Sequence, residues 1–224
     1  MSFYRGPRIT TNGLVLAVDA ADNNSYPKSG TTSYDISSTT GVGTLTNGPT
    51  YTQENGGAFV LDGTNDYIVH PSTTYSLTNG GAMEMWLRLA AVGSAQGFFQ
   101  INNTGAGSYI NLYTSSNTMR WEVAGVAANG NYTQIFSSIT LSANTWYHVV
   151  GTFNAAGATL YINNNVVATS NATNHPTTIT SSPRVGDYAG YMNGRIAVYK
   201  FYNRMLGSSE VSQNFNALRG RFGI

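Results

Sequence analysis

Short segments in which apolar and polar residues alternate recur along the chain, separated by runs of Gly, Asn and Ser. Alternation with a period of two residues is typical of β-strands with one buried face. Clear examples are GLVLAVDA (13–20), GAFVLDG (57–63), DYIVH (66–70), NTWYHVVGTFN (144–154) and GRIAVYKFYN (194–203). Many short strands without a long helical period predict an all-β sandwich.

One segment, AMEMWLRLA (82–90), is apolar on both faces. Met83 and Met85 face one way with two leucines, whereas Glu84 and Trp86 face the other. A strand that is apolar on both faces is expected at the centre of a covered sheet, so we predict a central strand here. All three tryptophans lie inside predicted strands and are expected in the core: Trp86, Trp121 and Trp146.

Two polar turns and one helix complete the predicted elements. ATLYINNNVVATS (158–170) predicts a hairpin that turns at 163–165, because Asn tolerates positive φ. Asp62-Gly63 predicts a second hairpin turn, with Asp66 starting the next strand.

The helix is predicted in LGSSEVSQNFNALRG, near the end of the chain. Ser208 or Ser209 is the expected N-cap, Val211 and Phe215 lie on the apolar face, and Gly220 is the expected stop.

Length and charge restrict the function classes. The 224 residues fit one large domain, and the absence of cysteine excludes disulfides and suits a reducing cytoplasm. A net charge of +1 produces no broad electrostatic field that would attract nucleic acid or an acidic membrane. The apolar run 14–18 is broken by Asp19, so we predict neither a secretory signal nor a transmembrane segment. Four arginines form small basic tips that we interpret as solvated: Arg5, Arg8, Arg219 and Arg221.

Catalytic chemistry finds little support in the sequence. A glycosidase needs two carboxylates that flank the scissile bond, but Glu84 is followed at i+2 by Trp86, and Asp62 and Asp66 straddle a turn. No Gly-x-Ser-x-Gly elbow or zinc-spaced histidine pair occurs. His148 alternates with apolar residues and is expected to be a packed, hydrogen-bonded histidine. We therefore predict no catalytic residue and no enzyme.

Calcium is the one possible cofactor, because it takes oxygen ligands from carboxylates and amides. The metal candidates are Asp66, Asp187 and Asp62, and a weaker set is Asp19 with Asp22. Turn formation and loop capping also explain each aspartate, and we favour that structural interpretation.

Exposed aromatics are the candidate ligand contacts. Tyr188 and Tyr191 lie in the loop GDYAGYMNG and could stack on a sugar or on a protein partner. The alternative is that both are partly buried anchors of the loop.

Four segments resemble successive motifs of the laminin-G-like, pentraxin-like branch of the concanavalin A-like lectin/glucanase superfamily. They are FVLDGTNDYI, MEMWLRL, WYHVVGTFNAAGATLYINNNVV and YMNGRIAVYKFYNRMLGSSEV, and the resemblance covers about 13–215. The most specific motif contains Gly194, Ile196, Tyr199, Tyr202, Asn203, Leu206 and Glu210. The resemblance implies a two-sheet antiparallel jelly-roll sandwich with one short C-terminal helix. Where the family usually has glycine in the LYINNN hairpin, this chain has Asn164 or Asn165.

The first and last segments are similar to stand-alone, lectin-like virion proteins of tailed phages. We therefore expect an N-terminal arm at 1–12, the sandwich at 13–216 and a C-terminal tail at 217–224. The resemblance implies a non-enzymatic structural or adhesion module that decorates a capsid or belongs to a tail fibre, in a virion made in the host cytoplasm. Its expected partners are other virion proteins, further copies of itself and host surface glycans. The alternatives are a calcium-assisted carbohydrate-binding lectin and a glycan hydrolase that uses Glu84 or Asp66.

Overall fold

The structure is a computed structural model that describes residues 8–37, 41–103, 107–125, 133–171 and 174–224. Within these ranges the chain forms mainly short strands. The first nine are Leu14–Asp19 (β1), Thr32–Tyr34 (β2), Val42–Thr46 (β3), Thr50–Thr52 (β4), Ala58–Asp62 (β5), Tyr67–Val69 (β6), Thr73–Ser76 (β7), Gly81–Leu89 (β8) and Gln96–Asn103 (β9). The next nine are Ser108–Ser115 (β10), Thr118–Ala124 (β11), Thr133–Thr140 (β12), Trp146–Asn154 (β13), Gly157–Ile162 (β14), Asn165–Ser170 (β15), Thr178–Ser181 (β16), Arg184–Val185 (β17) and Asn193–Tyr202 (β18).

Two eight-stranded antiparallel sheets form the sandwich that was predicted. The first sheet has the order β15-β14-β13-β8-β18-β5-β4, and β1 also pairs with β18. The second sheet has the order β12-β11-β10-β9-β17-β6-β3-β2. The strands β7 and β16 form a separate two-stranded sheet. All-β architecture with a sandwich of antiparallel strands is therefore confirmed.

The strand β8 lies at the centre of the first sheet, as predicted, and both of its faces are buried. Met83 and Met85 point into the core between the sheets. On the other face, Trp86 stacks on Phe222 at a centroid distance of 4.3 Å. One face is thus covered by the second sheet and the other by a helix. The predicted burial of the tryptophans is confirmed, since Trp86, Trp121 and Trp146 are all buried.

That covering helix is Ser208–Phe222 (α1). Its N-cap is Gly207, not one of the predicted serines, and the Gly207 N–H donates to the Glu210 carboxylate over 3.0 Å. The helix also does not stop at Gly220. It continues to Phe222, whose ring packs on the sheet, and ends where Gly223 adopts a φ of 72°.

The predicted hairpin at Asp62-Gly63 is wrong, because the two flanking strands belong to different sheets. β5 pairs with β4 and β18, whereas β6 pairs with β3 and β17. Side chains hold this crossing connection: Asp62 Oδ1 accepts from the Thr64 N–H at 2.7 Å, and Asp66 Oδ2 accepts from the Asp62 N–H at 3.1 Å. Both aspartates therefore shape the connection between the sheets.

The predicted asparagine hairpin is confirmed. β14 and β15 pair antiparallel, and Asn163 and Asn164 connect them with φ of 49° and 66°. Asn164 takes the left-handed conformation for which the family usually has glycine, and Asn is one of the few other residues that enter it at small cost.

Candidate polar binding surface

The outer face of the second sheet carries polar side chains between core positions. On β10 and β11, Ile110 and Trp121 point into the core, so the residues next to them in sequence face outward. The outward positions include Asn111 and Glu122. The helix α1 packs on the first sheet, so this face lies on the side of the sandwich opposite the helix.

Strand register aligns five of these side chains in one row across the sheet. Arg184 pairs with Gln100, Gln100 with Asn111, Asn111 with Glu122, and Glu122 with Gln134. Directly paired residues of neighbouring strands lie on the same face. We call this row, from Arg184 to Gln134, the polar row. Its four strand intervals of about 4.8 Å give it a length of about 19 Å.

Glu122 lies at the centre of a hydrogen-bond network on the polar row. Its Oε1 accepts from the Tyr113 hydroxyl and from Gln134 Nε2, and its Oε2 accepts from the Tyr188 hydroxyl at 3.3 Å. Burial, and then the nearby carboxylate, raise the pKa of Tyr188 to about 12. The same two causes raise the pKa of Tyr113. Both phenols therefore remain protonated and donate to Glu122.

Three polar atoms on this face lack a hydrogen-bond partner among the described residues. They are Asn111 Oδ1, Arg120 Nε and Arg184 Nε, and each is buried as an atom. Asn111 is only 1% exposed. A buried polar atom without a partner costs about 1–3 kcal/mol, so this face keeps hydrogen-bonding capacity that the described side chains do not use.

The loop after β17 covers one side of the polar row. The Tyr188 ring meets the Tyr113 ring edge-on at a centroid distance of 5.1 Å. Gly97 permits this packing, since a Cβ atom there would lie 2.0 Å from the Tyr188 backbone nitrogen. Tyr188 is thus a half-buried anchor beside the row. Tyr191, on the same loop, is 36% exposed.

Of the metal candidates, Asp187 lies nearest to the polar row, where its carboxylate forms an ion pair with Arg184 and its carbonyl accepts from Gln100 Nε2. Asp62 and Asp66 hold the connection between β5 and β6. Among the described residues no group of three or more acidic or histidine side chains could hold a metal ion. Calcium at these aspartates stays a prediction.

The weaker aspartate pair also has structural partners. Asp19 accepts from Arg221 Nη1 at 2.8 and 2.9 Å, and Asp22 Oδ1 accepts from the Asn24 N–H at 2.8 Å. The interpretation of Arg221 as a solvated tip is wrong, because it also donates to the Gly57 carbonyl. Residue 221 ties the end of α1 to the first sheet.

A second buried carboxylate, Glu84, lies on the outer face of the first sheet. It accepts from Lys200 Nζ at 2.9 Å and Asn214 Nδ2 at 2.6 Å, and its Oε1 lies 3.2 Å from His148 Nε2. Burial alone would raise the pKa of Glu84, but Lys200 and His148 hold it below its ordinary value. Burial lowers the pKa of His148. The burial of His148 and its hydrogen bond with Glu84 confirm that it is a packed, hydrogen-bonded histidine. Because Glu84 is 0% exposed beneath α1, no substrate reaches it.

Sequence reasoning named none of the five members of the polar row as a candidate. Gln100, Asn111 and Glu122 each stand between apolar residues in the segments FFQIN, YINLY and RWEVA, and Gln134 stands between a threonine and an isoleucine in TQIF. That alternation marks each residue as outward-facing. Their alignment depends on pairing between strands, which the sequence alone does not give.

A family model of the concanavalin A-like lectin/glucanases superfamily, for laminin G-type domains, matches residues 62–212. The chain therefore belongs to this superfamily, in agreement with the resemblance of its motifs. A search of curated protein sequences finds no match.

Several solved structures share the fold. The binding domain of Paraclostridial Mosquitocidal Protein 1 is 17% identical, with a TM-score of 0.73 over 92% of this chain and 52% of that one. The receptor binding domain of botulinum neurotoxin D is 14% identical, with a TM-score of 0.71 over 92% and 52%. This chain thus spans about half the length of these toxin domains.

A third similar structure is a single domain of about the same extent. It is Domain 4 of AbnA, a GH43 extracellular arabinanase from Geobacillus stearothermophilus, in complex with arabinotriose. It is 14% identical, with a TM-score of 0.67 over 91% of this chain and 98% of that domain. At these identities the likeness establishes the fold. Separately, no helix in the described part of the chain is long and apolar enough to cross a bilayer.

Proposed function

We propose that this protein is a non-enzymatic module that binds cell-surface glycans through the polar row. The alignment of Arg184, Gln100, Asn111, Glu122 and Gln134 on five neighbouring strands carries this proposal. The amide groups can both donate to and accept from the hydroxyl groups of a sugar, the guanidinium group of Arg184 can donate to them, and the carboxylate can accept from them. A row about 19 Å long presents such groups to several consecutive sugar units.

Flat platforms at the two ends of the row favour a carbohydrate ligand. The Arg184 guanidinium lies 4.1 Å from the ring centre of Tyr67, and the Arg120 guanidinium lies 4.7 Å from that of Phe136. Aromatic and guanidinium planes offer flat surfaces for the apolar faces of sugar rings. Phe136 is 47% exposed, so its ring is accessible from solvent.

Hydrolysis is disfavoured by the count of carboxylates. Glycoside cleavage requires a pair of carboxyl groups about 5–9.5 Å apart across the scissile bond. Within the described residues the polar row contains one carboxylate, Glu122, which is held by three donors, while the nearby Asp187 is paired with Arg184. The two toxin structures with similar folds are binding domains, and the arabinanase domain is in complex with arabinotriose, which supports a binding role here.

The test is oligosaccharide binding by matched variants. We expect a glycan array and calorimetry with arabinotriose and other neutral oligosaccharides to identify a ligand. Gln134→Ala should then weaken binding at least tenfold, because this side chain is partly exposed on the row and the lost amide contributes about 1.4 kcal/mol or more. The control Asn216→Ala removes an exposed asparagine from α1 and should leave binding unchanged. Equal binding by both variants would contradict the assignment of the site.

Two further arms of the same experiment separate the alternatives. Repeating the titration with a chelator tests the calcium-assisted lectin, for which binding should disappear. Incubating the ligand with protein and analysing the products tests the hydrolase. Release of shorter sugars that stops in Glu122→Gln would replace our proposal with an enzyme.

We also propose that the module belongs to a tailed-phage virion, where it decorates the capsid or forms part of a tail fibre next to further copies of itself. The similarity of the two end segments to phage virion proteins supports it. Residues 219–224 are kept in the deletion variant, because Phe222 packs on the first sheet. We therefore expect deletion of residues 1–8, or Arg219→Glu, to lower the copy number per purified particle. An unchanged copy number in both variants would refute docking through the ends.

A further inference from the structure

A pair of arginines lies on the outer face of the first sheet, beyond the part that α1 covers. Arg88 of β8 and Arg195 of β18 are direct cross-strand partners. Like charges placed directly opposite each other destabilise a sheet. Both side chains are partly buried, at 22% and 29% exposure, so water screens their repulsion only in part. The pair therefore needs a counter-charge.

One carboxylate supplies that counter-charge. Glu54 Oε1 accepts from Arg88 Nη1 at 2.5 Å, and Glu54 Oε2 accepts from Arg195 Nη1. Arg88 Nη2 also donates to Asn144 Oδ1 at 3.2 Å. Two guanidinium groups against one carboxylate leave this group of three side chains with a net charge of +1. Each guanidinium has five N–H donors, so both retain donors for a further anion.

Glu54 is more exposed than the two arginines and lies on a less regular element. Its side chain is 40% exposed and belongs to a single 3-10 turn, Glu54–Gly56, whereas both arginines project from central strands. The turn is fastened to α1 through its neighbour Asn55, whose Nδ2 donates to the Arg221 carbonyl at 2.8 Å. The fold therefore keeps the turn in place by contacts that do not depend on the Glu54 carboxylate.

A groove of about 120 Å³ adjoins the arginine pair. Asn144 and Asn193 line it, together with Val60 and Gly194. Gly194 lies against the neighbouring strand, since a Cβ atom there would be 2.3 Å from the Arg88 carbonyl oxygen. The groove thus combines two guanidinium groups, two amides and a small apolar surface, which suits one sugar unit that carries a negative group.

We infer that Arg88 and Arg195 form a second binding site, for the carboxylate or sulfate group of an acidic sugar, in which Glu54 occupies the anion position until ligand displaces it. Planar guanidinium groups bind such oxyanions through paired hydrogen bonds. The site lies on the opposite side of the sandwich from the polar row. It does not depend on glycan binding at that row.

The test uses glucuronate, glucose and inorganic sulfate as probes, titrated into the full chain and followed by nuclear magnetic resonance shifts at the groove. We expect glucuronate and sulfate to bind and glucose not to bind. Arg195→Gln should weaken glucuronate binding about tenfold or more, as expected for loss of a charged hydrogen bond. Glu54→Gln should tighten binding several-fold, because it removes the competing carboxylate. Added salt should weaken binding.

Matched controls keep the inference falsifiable. Arg219→Gln removes one exposed positive charge from α1 and should leave glucuronate affinity unchanged. Glu122→Gln tests independence from the polar row and should also have no effect here. If Glu54→Gln binds glucuronate no better than the parent, or Arg195→Gln binds it equally well while folded by circular dichroism, the three side chains form only a structural ion pair.

Discussion

Glu84 and Glu122 lie on the outer faces of the two sheets, and both are buried, but their surroundings differ. Glu84 contacts the cation of Lys200 and is sealed beneath α1. Glu122 is 6% exposed and accepts from two phenols and an amide on a face opposite the helix. The comparison shows that a buried carboxylate is paired with a cation where a helix covers it and is held by neutral donors on the face opposite the helix.

The cause of the difference is the layer that covers each sheet. Phe222 and Phe215 of α1 bury Trp86 on the first sheet, and Glu84 beside it has no exposed surface. A carboxylate in that position must be neutralised by a buried cation. On the second sheet, hydroxyl and amide donors stabilise the negative charge of Glu122. Groups of this kind can also form hydrogen bonds with a sugar.

The largest effect is expected from Lys200→Met. It leaves Glu84 buried without its cation, and breaking a buried ion pair in this way costs about 3–5 kcal/mol. Urea unfolding measures the loss. Lys28→Met, at an exposed position, is the control and should change stability by less than about 0.5 kcal/mol. A loss below about 1 kcal/mol for Lys200→Met would show that the ion pair does not stabilise the fold.

Acid should destabilise the protein in two successive, overlapping pH windows. Burial lowers the pKa of His70 from 6.5 to about 4. The unfolded chain therefore takes up a proton between pH 6.5 and 4 that the folded chain does not, and stability falls by about 3 kcal/mol as pH decreases through this window. Glu84, whose pKa is lowered, stabilises the fold above its unfolded pKa of 4.5 and loses this effect only below it.

Unfolding curves of His70→Gln at several pH values check the first window. The variant should reduce the slope between pH 6.5 and 4 by the His70 contribution, whereas His148, whose pKa burial also lowers, still contributes there and the Glu84 effect below pH 4.5 remains. His175→Gln, in a loop, is the matched control. If His70→Gln retains the slope of the parent protein, His70 does not cause it.

A smaller loss is expected from Asn214→Ala. The Asn214 side chain donates to Glu84 Oε2 and accepts from the Thr10 N–H at 2.7 Å, so it links α1, the sheet and the segment before β1. Losing a hydrogen bond to a charged group costs about 2 kcal/mol. Hydrogen exchange at residues 8–11 should also speed up. Asn216→Ala on the same helix should change neither quantity.

The smallest effect on stability is expected from Glu122→Gln. The amide retains one acceptor for the Tyr113 and Tyr188 hydroxyls, and no buried cation loses its partner among the contacts described for Glu122. We expect a change below about 1 kcal/mol in urea, together with a clear loss of oligosaccharide affinity. A destabilisation as large as that of Lys200→Met would erase the distinction between the two glutamates.

Local patterns were sufficient for most of the fold. Alternation predicted many of the strands, including the doubly buried β8, though not the short β2 and β3, and the asparagines at 163 and 164 predicted their own hairpin. The predictions failed where a contact between residues far apart in sequence determines the local structure. Gly220 looks like a helix stop, but packing of Phe222 on Trp86 extends α1 beyond it. Asp62-Gly63 looks like a hairpin turn, but its flanking strands pair in different sheets.

The same division applies to the binding surfaces. The sequence by itself determined which side chains face outward, because the side-chain direction along a strand depends only on the two-residue period. It also determined the charge and the absence of cysteine. Only the tertiary structure decided that Glu122 lies between Asn111 and Gln134, or that Arg88 faces Arg195. These neighbours come from strands far apart in sequence, and their register is set by how the two sheets pack.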